Sequence, residues 1–149
     1  MPSINENYQK WNDDSHWSNL GDEWSGPWGG SSNLWHYTLL PRLRHLLPAG
    51  QVIEIAPGHG RWTQFLAPLS GALHAVDLSE RCIEICQKRF AAIDNITYHV
   101  NDGKSLPAEI PDGSVDLVFS FDSLVHCDLS IIDAYLEAIA RKLDRKSVV

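Results

Sequence analysis

Val52-Ile53-Glu54-Ile55-Ala56-Pro57-Gly58-His59-Gly60 is the stretch on which the fold of this 149-residue chain turns. Gln51–Ile55 is a short β-branched run, the pattern of a strand buried on both faces. An acidic residue, Glu54, lies near its end. Ala56, Gly58 and Gly60 then alternate with larger residues through a turn. Small residues let the backbone approach a ligand closely. A helix opening at Gly60 would add free N–H donors at its N-terminus. The stretch therefore reads as strand, tight turn, helix, with a ligand at the turn, or as an ordinary βα turn with no ligand.

The same alternation continues outward. The spacing predicts a helix to about Leu69, a second strand over Ala72–Asp77, and a helix capped by Ser79 running to about Ile93. Cys82, Cys86, Phe90 and Ile93 fall on one face of that helix. Ile96–Val100 is a third strand, Pro111-Asp112-Gly113 a turn, and Val115–Phe121 a fourth strand. Ser130-Ile131-Ile132-Asp133 resembles a capping box opening a helix whose stripe is Ile132, Leu136, Ile139 and Leu143. Val148-Val149 is placed to start a fifth strand. Upstream, leucines over 33–47 have helical spacing, although Pro41 argues against one straight helix. Strands alternating with helices predict an α/β chain with a Rossmann-like, doubly wound, mostly parallel sheet. Right-handed crossovers bring the loops after the strands to one edge, where ligands bind.

Two nucleotide-type patterns compete at the turn. A dinucleotide fingerprint needs G-x-G-x-x-G, but Thr63 or Arg61 stands where the third glycine belongs. The pattern acidic-x-G-x-G-x-G is met by Glu54, Ala56, Gly58 and Gly60, with alanine in place of the first glycine. Asp77 ends the second strand, where a carboxylate accepts hydrogen bonds from ribose hydroxyls or caps the next helix together with Ser79. Asn101-Asp102-Gly103 follows the third strand, and a plain turn would favour the same residues. Pro111 to Ser120 is an acidic turn feeding a Val-Asp-Leu-Val strand.

Taken in order over roughly 51–145, these segments resemble the class I S-adenosylmethionine-dependent methyltransferases. The leading Trp-Ser-Gly-Pro-Trp-Gly-Gly is similar to the start of bacterial small-molecule members. The resemblance implies S-adenosyl-L-methionine as cofactor and a small-molecule methyl acceptor. It implies that Glu54 orients the methionine ammonium and that Ala56, Gly58 and Gly60 pass close to the cofactor. Asp77 with Leu78 would hold the ribose, Asp102 with Gly103 the adenine, and Phe121 would lie at the junction with the acceptor. Asp122 and His126 are the catalytic candidates, Asp122 near the ammonium or acceptor and His126 as a general base for a hydroxyl. A packed or surface histidine is the alternative for His126. A complete fold of that family continues with further strands after the helix that ends near Asp144. The chain is therefore expected to carry an incomplete version, with an open sheet edge suited to self-association. An inactive nucleoside-binding module and, less favoured, a nicotinamide-dependent oxidoreductase remain as rival readings.

Composition bounds the rest. Hydrophobic residues make up 44% and charged residues 21%, with a net charge of -7 and no basic patch, so a nucleic-acid partner is not expected. No metal site is expected: Cys82 and Cys86 lack companions to complete a tetrahedral set. No segment suits a signal peptide or a membrane helix, and the odd cysteine count fits a reducing compartment, so a cytoplasmic location is expected. Five of the six tryptophans fall within residues 1–35. Residues 1–32 thus form a Trp-rich segment, read as a candidate lid, a substrate platform or plain packing, ahead of a cofactor-binding domain over 33–149.

Overall fold

The computed structural model describes residues 2–144. Four parallel strands, β1 (Ala49–Ile55), β2 (Ser70–Asp77), β3 (Ile96–Val100) and β4 (Leu117–Phe119), stand in the order β3-β2-β1-β4. Ile55 is paired with Val76, Asp77 with Val100 and Glu54 with Phe119, so the strands end in line. The predicted doubly wound parallel sheet is what forms. β1 and β2 are the central pair, and their interior explains the apolar runs: Val52, Ile53, Leu73, Ala75 and Val76 are fully buried. Each such branched side chain contributes about 1.5–3 kcal/mol of burial.

Alternation along β1 divides the core. Val52 joins Leu34, Trp35, Leu39, Trp62 and Leu66 on one face. Ile53 and Ile55 join Ile110, Ile131, Tyr135 and Ala138 on the other. The first face is covered by a helical run made of α2 (Ser31–Leu34), a π-turn (Trp35–Leu39) and α3 (Leu40–Leu43). Pro41 explains the π-turn. It has no N–H to give the preceding turn, and the Leu40 amide instead reaches the Trp35 carbonyl, five residues back. The chain thus passes Pro41 without breaking.

Three expectations need correction. The helix after the glycine turn is one turn only, α4 (Thr63–Leu66), followed by a 3₁₀ turn over Ala67–Leu69 that holds Pro68. It has no N-terminus long enough to act as a dipole. α5 (Glu80–Arg89) is capped by Ser79 as predicted but stops short of Ile93, which is exposed. α6 (Leu129–Lys142) starts at an Asp128 cap, not at Ser130. Its buried stripe is Ile131, Tyr135, Ala138 and Lys142, and Leu136 faces solvent.

β4 is an edge strand of the sheet, and the chain just before it is bridged by the segment after α6. After α6 the chain turns back so that Leu143 bridges Val115 in parallel, and the Asp144 amide donates to the Val115 carbonyl at 2.9 Å. The expectation for Val148-Val149 lies outside the described residues. Among the described residues no helix is long and apolar enough to cross a membrane.

The N-terminal segment folds over the strand ends. α1 (Ile4–Trp11) opens with a capping box between Ser3 and Glu6. The segment is tied down by the Asn7 amide donating to the His126 carbonyl, by the Ser79 hydroxyl donating to Asn12, and by an Arg81–Asp14 ion pair at 2.7 Å.

Candidate active site

A cavity of about 380 Å³ runs along the ends of β1, β2 and β4 beneath the N-terminal segment. Its floor is the turn after β1. Ala56, Gly58 and Gly60 all have left-handed backbone, with φ of 57°, 58° and 87°. This explains the alternation of small residues, since a Cβ in that conformation costs roughly 1–2 kcal/mol. Gly60 also has a packing reason: a Cβ there would meet the Phe90 ring at 2.5 Å.

Asp77 holds the turn in shape. Its Oδ2 accepts from the Gly58 amide at 3.0 Å and its Oδ1 from the Ser79 amide at 2.9 Å. Burial pushes its pKa up to about 6, against the hydrogen bonds from Ser79 and Gly58 that lower it. Asp77 is also one of the residues that line the cavity. Ser79 caps α5 through its hydroxyl, which accepts from the Cys82 amide. Of the two residues considered for the cap, Ser79 supplies the side chain that caps the helix.

The sequence candidates separate into two groups. Ala56, Gly58, Asp77 and Leu78 line the cavity on one side, and Gly103, Phe121, Asp122 and His126 line it elsewhere. Glu54, Gly60 and Asp102 do not. Glu54 is enclosed beneath the turn, where its Oε2 accepts from the Thr63 hydroxyl at 2.7 Å and its Oε1 has no partner. Burial pushes its pKa up to about 8, so it is largely a neutral acid at pH 7. The geometry is that of a strut under the loop, without contact to the cavity. Asp102 is turned onto its own loop. Its Oδ1 accepts from the Lys104 and Ser105 amides and from the Ser105 hydroxyl at 2.7 Å. Gly103 is the residue of that turn that reaches the cavity.

Beyond β4, Asp122 has a left-handed backbone, φ 64°, and pairs with Arg61 at 3.2 Å. His126 ends a 3₁₀ turn, its ring 5.3 Å from that of Trp11. The roof comes from the Trp-rich segment. Trp17 stacks on His59 at 4.0 Å and 16°. Its indole also covers Gly58, where a Cβ would lie 2.4 Å from the ring. Trp24 meets Trp17 edge-on at 4.9 Å.

Sequence reasoning missed Arg61, weighed only as a glycine that was absent, and the α1 residues Asn7 and Tyr8, which also line the cavity beside Trp11 of the Trp-rich segment. The one signal for the latter was the crowding of tryptophans. Cys82, Cys86 and Cys127 are free thiols. Burial pushes Cys82 and Cys86 well above their ordinary pKa. Among the described residues no group of three or more His, Cys, Asp or Glu is placed to hold a metal.

Comparison with known proteins agrees with this arrangement. Phosphoethanolamine N-methyltransferase 1 of Arabidopsis thaliana is 30% identical over 106 residues, which are 69% of this chain and 21% of that protein. Ribosomal RNA small subunit methyltransferase A of Geobacter sulfurreducens is 34% identical over 71 residues, 46% of this chain and 26% of that protein. Among solved structures, Haemonchus contortus phosphoethanolamine N-methyltransferase 1, in complex with phosphoethanolamine and S-adenosylhomocysteine, superposes with a TM-score of 0.69 at 25% identity. That match covers 94% of this chain and 29% of that one. The chain therefore spans less than a third of the length of each of these relatives. A family described as the methyltransferase domain matches residues 52–146, more than half of the chain, from the first strand to the end of α6. The left-handed turn after β1, the carboxylate that pins it from β2 and the parallel sheet beneath both are thus those of a chain that belongs to the methyltransferase domain family.

Proposed function

We propose that the chain binds S-adenosyl-L-methionine in this cavity and takes part in methyl transfer to a small-molecule acceptor. The observation that carries the reading is Asp77. Its buried carboxyl fixes the glycine turn, and the residue lines the cavity at the end of β2, where a carboxylate can accept from ribose hydroxyls. Leu78 and Gly103 extend that wall, and Ala56 and Gly58 line the cavity beside it, with Trp17 packed over Gly58. The residues present fit the nucleoside end of the cofactor. At the methionine end the fit rests on residues other than Glu54.

When bound, the cofactor supplies an electrophilic methyl on a sulfonium. Such a transfer is an in-line displacement in which positioning matters most. Asp122 and His126 stand where β4 ends, facing the cavity from the side opposite Asp77. His126 would take a proton from a hydroxyl or ammonium acceptor, and Asp122 would orient a cationic group. Residues 1–32 would act as a cover that excludes water, since Trp11, Trp17 and Trp24 roof the cavity. A net charge of -7 favours a small acceptor over a nucleic acid. Free thiols and the absence of a membrane-length helix among the described residues suit a cytoplasmic setting.

Calorimetry with S-adenosylhomocysteine tests the reading, with NAD as control and an Asp77→Asn variant. Saturable binding to the wild type, weakened about tenfold or more in the variant and absent for NAD, is expected for loss of a charged hydrogen-bond acceptor. A folded wild-type chain that ignores S-adenosylhomocysteine would overturn it.

A further inference from the structure

We infer that Arg61 is the cavity's seat for an oxyanion, an acid group carried by whatever occupies the end between β1 and β4. Its side chain is 9% exposed, yet it lines the cavity. Burying a guanidinium is costly unless its donors are satisfied. The protein satisfies them only in part. Of its five N–H donors, Nη2 gives one 3.2 Å bond to Asp122 and Nη1 gives a long 3.4 Å bond to the Ser25 hydroxyl. The contact with Asp122 is single, not the paired fork that makes a strong arginine–carboxylate bond, and the Asp122 side chain is 46% exposed.

The group is also held in place. The guanidinium carbon lies 4.7 Å from the Trp62 ring and 6.0 Å from Trp24. Its stem passes 3.2 Å from where a Cβ on Gly21 would stand. A planar cation packed near two indole rings, with donors that the protein does not use, suits carboxylate and phosphate recognition. An ordinary structural arginine at this burial would be expected to spend those donors on backbone carbonyls.

The oxyanion has two sources under the proposed function, on which naming it rests: the carboxylate of the cofactor's amino-acid part, or an acid group on the acceptor. Calorimetry separates them, using wild type, Arg61→Met and Arg61→Lys at constant ionic strength. The probes are S-adenosylhomocysteine, its decarboxylated form, and inorganic phosphate with and without S-adenosylhomocysteine. If the cofactor carboxylate sits on Arg61, the wild type prefers the carboxylated form by about tenfold or more, and Arg61→Met abolishes that preference. If the seat serves the acceptor, Arg61→Met leaves both cofactor analogues unchanged and loses saturable phosphate binding. Arg61→Lys keeps the charge but not the fork, and should retain only part of whichever binding is lost. Should Arg61→Met fail to fold, the lysine variant decides alone, by a loss of roughly threefold or more. Variants that match the wild type for all probes would overturn the inference. A wild type that ignores S-adenosylhomocysteine would sink the proposed function, and the phosphate comparison would still decide Arg61.

Discussion

The floor of the cavity and its roof are built from different interactions. The floor is backbone, pinned from beneath by two buried carboxyls, with Asp77 bonded to the Gly58 and Ser79 amides and Glu54 to Thr63. The roof is mostly ring against ring, tethered by exposed groups such as Asp14 with Arg81 and Tyr8 with Glu80. Buried hydrogen bonds that have no alternative partner are expensive to break, whereas exposed ion pairs exchange readily with water. The floor should therefore keep its shape while the roof opens, which is what a site with an adaptable cover requires.

The sharpest way to break this contrast is Asp77→Ala. It strands two amides in the interior, and urea unfolding should show a loss of about 4 kcal/mol, from two unsatisfied donors at roughly 1–3 kcal/mol each. A loss no larger than that of a surface substitution would mean that the floor does not depend on this pin. Glu54 provides the next largest effect, through pH. Its folded pKa is raised to about 8 from 4.5, so the native state holds a proton that the unfolded chain releases. Stability from this group is then full below about 4.5 and lost as pH rises through 8. Asp77, raised to about 6, completes its own loss at lower pH. Between pH 6 and 8 the wild type should lose roughly 2–3 kcal/mol, with Glu54 alone supplying at most about 1.4 kcal/mol per unit, and Glu54→Gln should flatten that slope. Identical slopes in the two proteins would show Glu54 to be ionised and solvated.

Trp17→Ala addresses the roof. Loss of the His59 stack and the Trp24 edge contact should cost about 2 kcal/mol. Hydrogen exchange should then quicken in residues 4–28 and leave β1 protected. Faster exchange in β1 as well would mean that roof and floor open as one unit. The smallest effect belongs to Ala56, a non-glycine residue at φ 57°. Ala56→Gly should raise stability by about 0.5–1 kcal/mol, because relief of left-handed strain exceeds the entropy that glycine adds to the unfolded chain. A destabilised variant would indicate that the Ala56 methyl packs usefully enough to outweigh its strain.

The sheet was readable because the central strands are mostly apolar, broken by Gln51, Glu54 and His74, and because turn and cap signals separate them, with a helical period in the crossover after β2. α6 was misread for a physical reason. Its aliphatic residues suggested one stripe, but the buried face includes Tyr135, whose hydroxyl meets Asn101, and Lys142, whose ammonium reaches the Ile110 carbonyl and Asp112. Long side chains with polar tips can line a core face, and a pattern of apolar residues alone overlooks them. The same limit applied at the site. Asp77 was legible from its place at a strand end. Glu54 and Asp102 have the right type and spacing, yet neither lines the cavity, and each has one carboxylate oxygen engaged locally, by Thr63 and Ser105. Arg61 acquires its interest only from Trp24, Trp62, Ser25 and Asp122, neighbours that the sequence does not mark as such.

The concentration of indoles around one cavity has an optical consequence. Trp11, Trp17, Trp24 and Trp62 all border the same enclosed space. Whatever enters it changes the polarity around four of the six chromophores at once, and any displacement of Trp17 removes an imidazole from van der Waals distance of its ring. The emission spectrum of the unlabelled chain is thus a built-in gauge of occupancy and of roof position, readable in a stopped-flow cell before a methyl acceptor has been found.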